Sequence, residues 1–307
     1  MIEEMKRVLA DTNSTAKWLV QKSRDIRKLQ RRISELEKAS VALSTDDLLE
    51  ILEVNINQPM YDLRKILRAN PDFTDPRTAL RMSKNATFIE WQVLDLSAEL
   101  FVETPVALQL SRHISAVSLV SSNLIRTQQD QPKASVIYFF CGLHTSSGDQ
   151  TRGPSGMMRS LVMQAVQLYP PPLDFISIRV KQQLEALNFK MLCHTLAQII
   201  KRLPPTAVLF CVLDSVSYFE RREWQNECEY AIESLRELIA DASLDATLLL
   251  LITSPVRMKR ISNLFDRDSV LSIGTDNADA RGQITERQMA ASSHRHWHRR
   301  NEVPQNI

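Results

Sequence analysis

Thr206–Asp214, TAVLFCVLD, is an unbroken apolar run that ends in a carboxylate. A strand buried on both faces reads as such a run. An acid at its end lies at the carboxyl edge of the sheet, where open α/β folds bind ligands. Thr247–Thr253, TLLLLIT, repeats the pattern and leads into Ser254-Pro255. Three shorter runs, Leu100–Val102, Val136–Cys141 and Val270–Ile273, complete a set of five. Helical patterns separate them at Ile114–Ile125, Met157–Leu168, Phe175–Leu187, Leu192–Arg202 and Ala231–Ala240. Strands alternating with helices predict an α/β fold with a mostly parallel sheet flanked by helices.

Upstream of this alternation the chain has no strand signal. Residues 14–43 read as one long helix. Leu19, Ile26 and Ile33, and Leu29, Leu36 and Leu43, are each seven apart and form a coiled-coil-like stripe that Lys22 interrupts. Eight Lys/Arg against three Asp/Glu between Lys17 and Lys38 make the rest of that helix basic. Asn-Pro and Asp-Pro breaks then divide residues 44–95 into shorter helices, the first opened by Ser44-Thr45-Asp46-Asp47. The expected organisation is a long amphipathic helix at 1–43 and a helical leader at 44–95. An α/β domain follows at 96–275, then a disordered basic and His-bearing tail at 276–307.

Bulk properties narrow the function classes. Glycine is scarce, six in 307 residues, which favours helix over a tight-turned β fold. A formal net charge of +2 calls for no nucleic-acid partner, and the basic helix lacks the aromatic context of one. The four cysteines form no CxxC pair, and Cys141 and Cys211 lie within apolar runs, as reduced structural thiols do. MIEEMKRVLA has acids and no apolar core, so it is no secretory signal, and no apolar stretch approaches a bilayer's thickness. The expectation is an intracellular, cytoplasmic protein with a protein partner, and with no membrane or nucleic-acid partner. His294, His296 and His298 alternate in the tail without a supporting Cys or carboxylate cluster, so no metal site is assigned.

An acid-ending strand beside a strand ending in Thr253-Ser254 is the arrangement that holds Mg²⁺ and senses the γ-phosphate in P-loop NTPases. There it works beside a GxxxxGK[ST] loop. No such loop is present. Laid directly after the first strand, the motif spans Thr104–Ser111, with Gln109 and Leu110 in the last Gly and Lys places, and only Ser111 agrees. Pro105 removes a backbone donor there. Gly148–Ser155 fits GxxxxGx[ST], but Pro154 replaces the lysine, so it is read as a surface loop entering the next helix. The helix after the first strand keeps its N-terminal dipole, a weak anion site by itself. No second acid stands beside Asp214, the next being Glu220. His113, His144 and His194 are isolated in sequence and read as structural.

The order VIYFFCGL, RGPSGMMRSLVMQ, LCHTLAQIIKRLPP, VLFCVLDSVSYFE, LLLLITSP resembles the NACHT/STAND-type NTPase domain of filamentous-fungal proteins, the nephrocystin-like N-terminal module. STDDLLEIL and FIEWQVLDLSAELFV are similar to its leader, so the resemblance spans roughly residues 44–275. It implies a P-loop-NTPase-like sheet, Asp214 as the Walker B acid, and Thr253 and Ser254 as the sensor. Pro255 stands where the sensor arginine follows in active members, and the phosphate loop is degenerate. The expectation is a non-catalytic regulatory or scaffold protein without a catalytic residue. ATP or GTP with Mg²⁺, if held, is held weakly through Ser111, Asp214, Thr253 and Ser254. The alternatives are an ATP- or GTP-hydrolysing STAND-type switch with a non-standard loop, and an interaction protein that self-associates through residues 14–43.

Overall fold

The computed structural model describes residues 1, 4, 18–33, 35, 43–69, 76–104 and 113–274. Ser111, most of the Thr104–Ser111 stretch, the 276–307 tail and parts of the 14–43 helix lie outside these residues. Helix α1 covers 18–33, and Leu19, Ile26, Leu29 and Ile33 are exposed on it. The leader contributes α2 (Thr45–Leu52), α3 (Gln58–Leu67), α4 (Pro76–Lys84) and α5 (Ala86–Trp91). Ser44 opens α2 with a reciprocal capping box to Asp47, which satisfies two donors that a helix start leaves open. Pro59 in the first turn of α3 and the Asn85 cap of α5 fix the other starts.

The α/β part runs β1 (Ala98–Glu103), α6 (Ala116–Gln129), β2 (Ala134–Phe140), α7 (Gly153–Leu168), α8 (Ile178–Glu185), α9 (Phe189–Ile200), β3 (Val208–Asp214), α10 (Gln225–Ala240), β4 (Thr247–Ser254) and β5 (Val270–Ser272). All five strands are parallel, in the order β2-β3-β4-β1-β5. The fold is an α/β, all-parallel sheet flanked by helices and preceded by an all-α region. The β1 and β3 connections leave over opposite faces, through α6 and α10. That reversal is the topological switch point at which open α/β sheets take ligands, at the carboxyl ends of the strands.

Alternation along each strand feeds two cores. Phe101, Ile137, Phe139, Cys211, Leu213, Leu250 and Ile252 face α7, α9 and α10. Leu100, Val102, Tyr138, Phe210, Val212, Leu249 and Leu251 face α6. The leader divides between them. Leu48 and Leu52 of α2 join the first core, while Leu63, Ile66, Phe88 and Trp91 of α3 and α5 join the second. Each fully buried Leu, Ile or Phe contributes roughly 1.5–3 kcal/mol, so both layers are secured by the same apolar pattern that made the strands readable.

Candidate functional site

Phe210 and Val212 of β3 point toward α6, and Asp214 continues that side, so its carboxylate meets the first turns of the helix. Ser115 caps α6 and shares a capping box with Ser118. Ser118 and Ser121, three apart, fall on one helical face. Ser118 Oγ donates to Asp214 Oδ2 at 2.7 Å and Ser121 Oγ to Oδ1 at 3.2 Å. Ser215 Oγ donates to Oδ2 at 2.9 Å, and Thr253 Oγ1 at the end of β4 donates to Oδ1 at 2.7 Å. An ionised carboxylate offers about four lone-pair sites, and four hydroxyls occupy them. Asp214 is 1% exposed, and all four donors are buried. Burial pushes its pKa up, opposed by the hydrogen bonds from Ser118, Thr253, Ser215 and Ser121.

Ser215 adopts the left-handed conformation, φ 60°, and its N–H donates to Thr253 Oγ1 at 3.0 Å. Thr253 therefore both holds the carboxylate and fixes the turn that leaves β3. Ser254 does not join them. Its hydroxyl bonds to the backbone of Val256 and shapes the turn after β4. Asp214 and Thr253 are thus brought together, and Ser254 is turned away. Ser118, Ser121 and Ser215 are site residues that the sequence reading missed. Their signal was the Ser115, Ser118, Ser121 spacing inside an otherwise apolar helix.

At the end of β1, Glu103 is buried on the opposite face. It accepts from Ser272 Oγ at 2.9 Å and from Met258 N at 3.4 Å. Arg257 lies 4.0 Å away on an exposed stem. Thr104 closes the same edge, with its N–H on Ser254 O at 3.0 Å and its hydroxyl on Pro255 O at 2.9 Å. The carboxyl edge around β1 and β3 therefore carries two buried acids. Glu220 is spent on the backbone N–H groups of Lys259 and Arg260, far from a water-positioning role beside Asp214.

The Gly148–Ser155 loop leads into α7, as expected, and its cations are engaged by protein. Arg152 pairs with Glu223 at 3.0 Å and stacks on Trp224, while Arg159 donates to the carbonyls of Leu52, Glu53 and Gln150. His144, isolated in sequence, is not isolated in space. Its Nε2 meets Asp62 Oδ2 at 2.9 Å and its Nδ1 meets Asp149 Oδ2 at 2.7 Å. Among the described residues no group of three or more His, Cys, Asp or Glu is placed to hold a metal, and no helix is long and apolar enough to cross a membrane.

Residues 115–254 match the family model described as Nephrocystin 3, N-terminal. The match begins at the cap of α6 and ends at the last residue of β4, so it encloses Asp214 and its four donors. No curated protein matches the chain. Among solved structures, a chain from the structure of C. elegans PCH-2 is 13% identical with a TM-score of 0.23, over 75% of this chain and 46% of that one.

Proposed function

We propose that this chain carries a nephrocystin-like, NTPase-shaped module that acts as a regulatory or scaffold element and does not hydrolyse nucleotide. The observation that supports the reading most is the saturation of Asp214. A Walker B acid must lend an oxygen to Mg²⁺ or to its water shell. Here each oxygen already accepts two hydroxyls. Reading Ser118 as the hydroxyl of GxxxxGK[ST], a register seven residues later than the one placed directly after β1, puts Ala116 and Val117 at the Gly and Lys positions. Val117 is 1% exposed in the α6 core, so no ammonium reaches a β- or γ-phosphate from that place. Among the described residues these features support at most weak holding of a Mg-triphosphate.

Isothermal titration of the full chain with Mg-ATP and Mg-GTP tests this reading. The expected result is no saturable heat with either nucleotide at micromolar concentrations. Sub-micromolar binding that Asp214→Ala abolishes would overturn it and favour a switch NTPase with a non-standard loop.

A further inference from the structure

We propose that His144 is a proton-operated latch that holds helix α3 of the leader against the β2 end of the sheet. His144 follows β2 and is 2% exposed, with Phe139 against its ring at 4.5 Å between centroids. Both ring nitrogens face carboxylates. Nε2 meets Asp62 Oδ2 of α3 at 2.9 Å, and Nδ1 meets Asp149 Oδ2 of the following loop at 2.7 Å. The arms are themselves braced. Gln58 Nε2 donates to Asp62 Oδ1 at 2.9 Å, and the Thr151 hydroxyl lies 2.9 Å from both Nδ1 and Asp149 Oδ1. Thr151 N donates to Asp149 Oδ1 at 2.8 Å.

A neutral imidazole has one N–H; only the imidazolium has two. With one proton lost, the ring keeps a single N–H. The other nitrogen turns a lone pair toward buried Asp62, or toward partly exposed Asp149 and the Thr151 hydroxyl, and in either tautomer the positive charge between the two acids is gone. The groups facing the ring are Asp62 from α3, Asp149 and Thr151 from the loop, and Phe139 from β2. On α7, Arg159 lies near Asp149 and is bound to carbonyls. No cation competes with the ring for either acid among these.

The direction in pH follows. Burial disfavours the charged ring, but the hydrogen bonds and charges of Asp62 and Asp149 outweigh it and raise the pKa of His144. The stabilisation is complete below the ordinary histidine value near 6.5 and is lost as pH rises through the raised folded value. For Asp149, burial is outweighed by Thr151 and His144, and the pKa is lowered, so its share is lost only as pH falls through that lowered value. The latch is closed below the ordinary histidine value and opens as pH rises through the raised folded value. Release uncovers Leu63 and Ile66 and the α6 surface they cover. This mechanism is independent of nucleotide binding.

Hydrogen exchange of the full chain, corrected for intrinsic rate, across pH 6 to 9 tests it. Protection of Gln58–Leu67 should fall at least tenfold while that of α10 holds. Asp62→Asn should move the midpoint down by about one pH unit or more, and His144→Gln should flatten the profile. If these variants do not fold, the His144 Cε1–H resonance of the unmodified chain decides. A pKa well above 6.5 supports the latch. A pKa at or below that value, or α3 protection that is flat across the range, overturns it.

Discussion

Replacing Thr253 with valine keeps the shape of the side chain and deletes one oxygen. In a phosphate sensor that oxygen awaits a ligand, and its loss leaves the unliganded fold nearly as stable as before. Here it makes two buried bonds, one to a carboxylate and one from the Ser215 N–H. A hydrogen bond to a charged group contributes about 1.5–3 kcal/mol, and an orphaned buried donor costs about 1–3 kcal/mol. The N–H in question belongs to a non-glycine residue at φ 60°, already strained by about 1 kcal/mol, so the turn has little slack to find another acceptor. Together the loss is about 2.5–6 kcal/mol. With a urea slope of about 2 kcal/mol/M the midpoint falls by about 1–3 M, at an unchanged slope. Urea denaturation followed by far-UV circular dichroism reads this directly, and Thr253→Ser, which keeps the hydroxyl, should recover most of it. In an Asp214→Asn background the valine should cost less, because one of its two partners is altered. A Thr253→Val midpoint within about 0.3 M of the parent would refute the hydroxyl cage as a structural element.

Two further outcomes follow from packing. A Cβ on Gly156 would lie 2.0 Å from Thr151 O and 2.1 Å from Thr151 C, so Gly156→Ala should lower stability by at least about 3 kcal/mol in the same assay. Gly148, with nothing within 4 Å, should accept alanine with a change under about 1 kcal/mol. All four cysteines are buried and free, and burial raises their pKa, to about 12 for Cys193 and Cys211. At pH 8 a thiol of pKa 12 is about one part in 10⁴ thiolate. Ellman's reagent should therefore leave the native chain unlabelled for hours and titrate four thiols in denaturant. Rapid native labelling of any of them would contradict the burial described.

Strands β1 to β4 were legible because their apolar runs are buried on both faces and needed no partner to be recognised, whereas the edge strand β5 is only partly covered and was read from the short run Val270–Ile273. Helix starts were less so. The first turn of α10, Gln225–Tyr230, is polar apart from its buried Cys228, and the apolar periodicity begins only at Ala231. The start of α7 at Gly153 rests on a proline within its first turn and a left-handed glycine, features that also describe a loop. Asp214 and Thr253 were readable as strand ends, since neighbouring parallel strands bring their ends together. Ser118 and Ser121 were not. Serines three apart on a helix ordinarily face water, and only the partner 96 positions away reveals their role. The phosphate-loop register was set by its distance from β1, yet Thr104–Ser115 intervene before the helix begins. His144 was invisible for the same reason, because one of its two acids is 82 positions upstream.

The burial of Val117 bears on which substitutions this fold can accept. A lysine there would have to thread its stem through the hydrocarbon that Leu100, Val102 and Leu124 share with it, and its amine would end in that medium uncharged. Even a successful thread would meet an acid whose oxygens are already claimed. A cation at this place would need the start of α6 and the apolar side chains packed on it to change in concert, because neither can give way alone without exposing or stranding the other.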